Sequence, residues 1–254
     1  MISPHFHIPY YKIRDYLHFF KKHILNLEIY FPSNSLDTIK DSDIKRLREE
    51  LDYSPALTIH APFMDLSPGA VDIKVRTVTI ERFSKMFDIA ETLNAGVIVF
   101  HSGYEKWKYA LKIDPWLEGS LITWRYLLPK AEEKDIKIAI ENIFEDDPVN
   151  LRLLMEEIGS QYFGICFDTG HFNLFSSTSL EEWLKQLKPY IIELHLHDNN
   201  KSADQHKAIG DGSFDFDVLF STLEGKKLVY TIEAHTPEDA LRSLERLKNY
   251  NLSA

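Results

Sequence analysis

The stretch Phe167-Asp168-Thr169-Gly170-His171 decides how the rest of the chain is interpreted. It closes a short apolar run, residues 162–167, and that run predicts a buried strand. Asp168 leaves the strand tip and His171 follows a Thr-Gly turn, so both can face the space beyond the strand and hold a cation there. A strand-end aspartate that caps the next helix is the alternative explanation.

The same pattern recurs along the chain. Seven other apolar runs predict strands, at residues 2–8, 24–31, 56–59, 97–100, 136–140, 191–194 and 228–232. Helical segments separate them, including 36–51 and 116–134, and Pro129 is expected to kink or divide the second of these. Eight strand-then-helix units imply a parallel sheet. Units of this length fit an α/β fold, a single (β/α)8 TIM barrel over residues 1–254. A doubly wound open sheet is the second choice, since no glycine-rich phosphate fingerprint follows a strand.

Composition limits the class of protein. With 254 residues and 44% hydrophobic side chains, the chain can bury a large core. Its single cysteine, Cys166, excludes an intrachain disulfide and suits a reducing compartment. There is no apolar run long enough to span a membrane and no signal-peptide pattern, so we predict a cytoplasmic protein. The formal charge of -10 argues against a broad nucleic-acid surface, although three divalent cations would reduce it to about -4.

Nine side chains of metal-ligand type follow the predicted strands, in most cases at the strand end. They are His60, His101, Glu141, Asp168, His171, His195, Asp204, His206 and Glu233. In a (β/α)8 barrel the carboxyl ends of all strands meet at one mouth. Nine such groups would desolvate and repel one another there unless cations neutralised them. Mixed imidazole and carboxylate ligands suit Zn, Mn or Fe better than Mg or Ca.

Each of these side chains also has an ordinary explanation when taken alone. His60 and His101 could bond to the backbone at strand ends, Glu141 could cap a helix, and Asp204 with His206 could be solvated in a polar loop. The joint pattern favours a metal centre. The other histidines considered near the mouth are expected to have structural or supporting roles: His5, His7, His197 and His235.

At these motifs the chain resembles the xylose-isomerase-like barrels, a group that includes endonuclease IV and many sugar isomerases and epimerases. The resemblance covers nearly the whole length, through HAPF (60–63), FHSG (100–103), IEN (140–142), FDTGH (167–171), HLHD (195–198), DQH (204–206) and IEA (232–234). Single-metal isomerases of the group keep a quartet that is matched here by Glu141, Asp168, His195 and Glu233. Endonuclease IV adds five ligands, which are matched by His60, His101, His171, Asp204 and His206.

The resemblance to endonuclease IV implies up to three zinc ions. His60, His101 and Glu141 would hold the first. Glu141, Asp168, His195 and Glu233 would hold the second, and His171, Asp204 and His206 the third.

Two loops depart from the endonuclease IV pattern. The loop after the second strand, FPSNS (31–35), lacks the arginine that handles DNA, and the loop after the seventh strand reads HDNN (197–200) in place of Asn-Asp and Ser-Lys. Phe63 keeps an aromatic ring where the family has a stacking tyrosine. Damaged DNA is therefore a weaker expectation than a small phosphorylated or sugar-like substrate.

Three functions follow from this pattern. The first is a metal-dependent hydrolase of a phosphoester or related bond, in which Glu141 orients the nucleophile. The second is a sugar or sugar-phosphate isomerase or epimerase, in which Glu141 and Glu233 exchange a proton beside a carbonyl and His171 binds substrate. The third is a non-catalytic sugar- or metal-binding module. The five ligands beyond the quartet favour the hydrolase, and the long 104–116 loop is either a substrate lid or ordinary surface packing.

Overall fold

Eight parallel strands form a closed barrel in sequence order, so the prediction of a single (β/α)8 TIM barrel is confirmed. The structure is a computed structural model that describes residues 2–250 and 252. The strands are β1 His5–Pro9, β2 Asn26–Tyr30, β3 Leu57–His60, β4 Val97–His101, β5 Lys137–Glu141, β6 Phe163–Asp168, β7 Ile191–Leu196 and β8 Val229–Ile232. Strand β8 pairs with β1 to close the barrel.

Helices surround the barrel on its outer side. They are α1 Ile13–His23, α2 Ser33–Leu36, α3 Asp41–Glu50, α4 Ile73–Leu93, α5 Asp114–Lys134, α6 Val149–Ile158, α7 Thr169–Phe175, α8 Leu180–Leu187, α9 Phe216–Thr222 and α10 Pro237–Leu247. Within the part of the chain that the structure describes, we find no helix with the length and hydropathy needed to cross a bilayer.

Three helices differ from the sequence-based expectation. The segment predicted as one helix over 36–51 is split into α2 and α3 by residues 37–40. Helix α5 runs through Pro129 without interruption, because Trp124, Leu127 and Ala131 are buried on either side of the proline and hold the helix against the core. The turn expected after Asp168 is the first turn of α7, and Asp168 caps it by accepting from the His171 backbone N–H at 2.6 Å.

The barrel interior changes in character along the strands. Small and medium apolar side chains, Val97, Val99, Ala139 and Cys166, form a separate cluster inside it. Side chains two residues further along β4, β5 and β6 face the same interior at the mouth, because strand side chains alternate between faces. The ionisable residues at the ends of β4, β5 and β6 therefore stand above apolar side chains of the same strands.

Candidate metal centre and active site

The structure brings the predicted quartet together around one imidazole nitrogen. Nδ1 of His195 lies 3.2 Å from Glu233 Oε1, 3.5 Å from Glu141 Oε2 and 3.8 Å from Asp168 Oδ2. All four side chains are buried. Among the residues that the structure describes, none forms a hydrogen bond with His195 Nδ1, so an unpaired buried ring nitrogen and three carboxylates converge on one point. This donor set suits a divalent cation such as Zn, Mn or Fe.

Glu28 supports the quartet from the barrel interior, a role that no pattern in the sequence indicated. Its carboxylate lies 3.1 and 3.2 Å from Nε2 of His195, and both residues are fully buried. Because a carboxylate only accepts, Nε2 of His195 carries a proton, and Nδ1 is the ring nitrogen that would bind a cation. Burial opposes the charge on Glu28, but the neighbouring His195 imidazole lowers the pKa of Glu28 to about 2.

A second carboxylate, Glu193, lies beside Glu28 inside the barrel. It accepts from the Thr231 hydroxyl at 2.7 Å. Burial, followed by the charge of Glu28, raises the pKa of Glu193 well above its usual range, which favours its neutral form. The pKa values of the two buried carboxyls are therefore shifted in opposite directions.

His60, His101 and Glu141 form the first of two groups that flank the quartet. Glu141 Oε2 lies 3.0 Å from Nε2 of His60 and 3.5 Å from Nε2 of His101. His60 donates from Nδ1 to the Ala61 carbonyl at 2.9 Å, which directs its Nε2 to the site. Burial lowers the pKa of His101 to about 3, so this ring is neutral. Phe63 stacks on it at 4.1 Å between ring centroids.

His171, Asp204 and His206 form the other flanking group. Asp204 Oδ2 lies 3.1 Å from Nε2 of His206 and 3.5 Å from Nε2 of His171. Nδ1 of His171 points to Glu141 Oε1 at 3.0 Å, so this group is continuous with the quartet. All nine predicted residues therefore lie at the mouth of the barrel, and none points away into solvent as a separate patch.

His197 joins the site although we expected a supporting role for it. Its Nε2 lies 3.0 Å from Asp168 Oδ2, and its ring stacks on His206 at 4.0 Å, with His235 stacked on the other side of His206 at 4.7 Å. The sequence contains the signal: His195 and His197 are two residues apart at the end of β7, so both face the barrel interior.

The loop that carries Asp204 and His206 is fixed by Asp198. Its buried carboxylate accepts from the backbone N–H groups of Asn199, Gly210, Gly212, Ser213 and Phe214 at 2.8 to 3.1 Å. Asp198 also pairs with Lys207 through two backbone hydrogen bonds. An exposed polar loop is thereby held in one position over the mouth.

The site opens into a cavity of about 760 Å³. His7, Tyr30 and Phe63 line one side, and the loops after β3 and β4 supply Met64 and Tyr104. The only cationic side chains among the described lining residues, apart from histidines, are Lys12 and Lys108, and arginine is absent from that lining. The cavity is large enough for a small molecule, and its chemistry is anionic near the quartet and largely apolar elsewhere.

Comparison with known proteins identifies the fold family. The family model of the xylose isomerase-like TIM barrel matches residues 27–250. An uncharacterised protein of Methanocaldococcus jannaschii, MJ1311, is 32% identical over 222 residues, which are 84% of this chain and 76% of that protein.

Two solved structures have the same fold over almost the full length. A D-tagatose 3-epimerase-like protein is 29% identical with a TM-score of 0.84, covering 97% of this chain and 96% of that one. The TTHB071 protein from Thermus thermophilus, from a crystal soaked with ZnCl2, is 26% identical with a TM-score of 0.81, covering 98% and 97%. Since the family model covers most of the chain and the barrel carries the expected residues at its mouth, the protein belongs to the xylose isomerase-like TIM-barrel family.

Proposed function

We propose that the protein is a metal-dependent isomerase or epimerase of a small sugar. The observation that carries this proposal is the convergence of Glu141, Asp168 and Glu233 on the unpartnered Nδ1 of His195. These four residues would hold a divalent cation, zinc first and manganese or iron as alternatives. When bound, the cation would polarise a substrate carbonyl and so acidify the neighbouring C–H bond.

Glu141 and Glu233 are the proton-transfer residues in this proposal. Burial opposes their ionisation, but the imidazoles around them lower the pKa of both carboxyls, so both are ionised and can accept a proton. One carboxylate would remove the proton from the carbon beside the carbonyl. The other would take a proton from solvent and deliver it to the opposite face, after which the first carboxyl releases its proton to solvent. His171, at the mouth side of Glu141, would bind a substrate hydroxyl.

Two observations support a neutral sugar over a phosphorylated substrate or DNA. The cavity lining described above offers two lysines and lacks the arginines that usually grip phosphate groups. In addition, the more similar of the two solved structures is named as D-tagatose 3-epimerase-like. The hydrolase that the sequence favoured receives no matching support from the compared proteins.

A solvent-exchange experiment tests the proposal. Protein loaded in turn with Zn²⁺, Mn²⁺ and Co²⁺ is incubated in D2O with D-tagatose, D-fructose, D-psicose and L-ribulose, and deuterium beside the carbonyl is followed by NMR. We expect exchange with at least one sugar. Glu141→Gln and Glu233→Gln should each abolish it, and metal content measured on both variants separates loss of the base from loss of the cation. Absence of label from every sugar with metal-loaded protein contradicts the proposal.

Phosphoester hydrolysis is the second candidate, because the two flanking groups supply five more ligand-type residues beside the quartet. A metal count by mass spectrometry separates the candidates. One ion per chain favours the isomerase. Three ions per chain, together with cleavage of bis(p-nitrophenyl) phosphate that His60→Ala abolishes, would favour the hydrolase.

A further inference from the structure

The cavity above the quartet extends beyond the barrel interior. Along β1, side chains alternate between the two faces of the strand. His7 faces the interior, where its ring lies 5.7 Å from that of His60. Phe6 and Ile8 therefore face outwards, and both belong to the large apolar cluster that includes the helices. Because Phe6 and Ile8 line the same cavity as Glu141, this cavity passes from the mouth to the outer side of β1.

The strand pairing explains where the cavity leaves the barrel. Strand β1 pairs with β2 along its whole length, from His5 to Pro9. Within the described residues, its pairing with β8 covers only His5 and Phe6, which lie opposite Thr231 and Ile232. The chain segments that follow these two strands lead into α1 and α10, and residues of both helices line the cavity. The cavity therefore leaves the mouth between the beginnings of α1 and α10.

The outer part of the cavity is apolar, and we call it the recess. It lies between β1, α1 and α10 and is defined by Phe6, Ile8, Tyr16, Phe19, Phe20 and Ala240. Phe6, Phe20 and Ala240 are at most 8% exposed. Lys12 and Thr236 also line the cavity, and they stand at the starts of α1 and α10. The starts of these helices lie at the mouth, so these two polar side chains stand where the recess opens.

Apolar side chains around an open space favour an apolar occupant. An ordered water needs two to four polar partners, and the side chains that define the recess offer only the Tyr16 hydroxyl. An empty space of this kind forfeits dispersion contacts that a close-packed interior would make. The whole cavity, of about 760 Å³, has the size that suits a drug-sized ligand. A free monosaccharide is smaller, and its hydroxyl groups match the quartet end of the cavity and not the recess.

We propose that the recess binds an apolar substituent of the substrate, so that the substrate is a sugar with an alkyl, acyl or aryl group at the end remote from its carbonyl. This inference rests on the function proposed above and names the substrate class. The sugar would lie against the quartet, and the substituent would pass Pro9 and enter between α1 and α10. Free sugars would bind more weakly, because they leave the recess empty.

Binding of n-alkanols tests the recess without reference to any reaction. Alkanols of two to eight carbons are titrated into the methyl-labelled full chain, and the methyl signals of Ile8 and Ala240 are followed by NMR. We expect saturable shifts at both methyl groups. The affinity should rise by up to about fourfold per methylene, because each buried methylene adds a nearly constant transfer free energy. Affinity that does not depend on chain length, or shifts confined to other methyl groups, would overturn the proposal.

Variants of α10 show whether the alkanols occupy the recess. Ala240→Phe fills it and should abolish alkanol binding. Ala240→Leu fills it in part and should weaken the binding of the longer alkanols, and circular dichroism checks that each variant is folded. Glu245→Phe is the matched control on the same helix: the Glu245 side chain is 74% exposed, so this variant should bind alkanols as the wild type does. Alkanol binding that survives both Ala240 variants contradicts the proposal, as does an equal loss in Glu245→Phe.

Deuterium exchange in D2O connects the recess to the substrate. With metal-loaded protein, 6-O-pentyl-D-fructose should have a KM at least about tenfold lower than that of D-fructose, with a similar kcat. Glu245→Phe should keep this difference and Ala240→Phe should lose it. Alkanol binding at the recess with no exchange from any sugar would contradict the proposed function and not the recess. Exchange with the same KM for both sugars would contradict the recess and leave the proposed function standing.

Discussion

At the scale of single residues, the chemistry of the site depends on which atom of His195 carries a proton. The Glu28 carboxylate accepts a hydrogen bond from Nε2–H of His195, and this contact turns Nδ1 towards the other three members of the quartet. A ligand histidine that is oriented by a carboxylate binds metal more tightly than one that is free to rotate. Glu28 is therefore a positioning residue, although it would not touch the cation.

Replacing Glu28 with Gln keeps its volume and removes its charge. We expect the affinity for Zn²⁺ to fall by about 10- to 100-fold, because the imidazole loses a charged partner. Competition with a chromophoric chelator measures this. Glu193→Gln is the matched control: the environment of Glu193 favours its neutral form, so this variant should bind Zn²⁺ as the wild type does. Equal Zn²⁺ affinities for Glu28→Gln and wild type would mean that Glu28 does not contribute to cation binding.

Gly170 matters because of its contact with His197. A Cβ at this position would overlap the His197 ring, which is held by Asp168 and His206. We expect Gly170→Ala to destabilise the fold by about 1–3 kcal/mol and to displace His197. Urea unfolding and the His197 NMR signals measure both effects. Gly96→Ala serves as the comparison, since nothing lies within 4 Å of its Cβ. Similar losses from the two substitutions would exclude this packing explanation.

At the scale of elements, each strand delivers its side chains to the mouth, and the loops decide how those side chains are held. The loop after β7 is the clearest case. It contributes Asp204 and His206, and it is polar and partly exposed, yet Asp198 fixes its backbone with five hydrogen bonds. The order of this loop thus depends on one buried carboxylate.

Asp198→Asn leaves one acceptor oxygen where the wild type has two. We expect a loss of about 1–3 kcal/mol for each backbone N–H that becomes unsatisfied, together with faster hydrogen exchange at residues 210–214. Asp211→Asn is the control: within the described part of the chain, the Asp211 carboxylate forms ion pairs with the exposed Arg242 and Arg246 alone, so its loss should cost less than about 1 kcal/mol. Unchanged exchange at 210–214 in Asp198→Asn would show that the loop is held by other contacts.

At the scale of the whole molecule, the barrel holds together groups that repel one another. Glu28, Glu141, Asp168 and Glu233 are all buried at the mouth end of one barrel. In the absence of a cation, part of the folding free energy is used to keep them there. Cation binding should therefore stabilise the whole fold as well as the mouth.

Calorimetry with EDTA and with excess Zn²⁺ measures that stabilisation. A cation at about 100 times its Kd adds about 2.7 kcal/mol, which for a chain of this size raises the Tm by about 5–10 °C. Asp168→Asn/Glu233→Gln removes two carboxylate ligands of the quartet and should show no such rise. A wild-type Tm that is the same in EDTA and in Zn²⁺ would mean that the folded protein does not bind the cation at this centre.

The sequence alone was sufficient to predict the barrel fold and the nine ligand-type residues at its mouth. Strand and helix periodicities are local, and His101, Glu141 and Asp168 stand at strand ends, where parallel topology brings them together. Pro129 does not divide α5, although local propensity predicts a break there. The buried contacts of Trp124 and Leu127 keep the helix continuous.

Which side chains contact one another at the mouth depends on the tertiary structure. Glu28 is 167 positions from His195 in sequence, so no local pattern could pair them. His197 was assigned a supporting role because the sequence does not show that its ring reaches Asp168 and His206. Strand periodicity fixes which face a side chain occupies, but only the closure of the barrel fixes which atoms from distant strands meet.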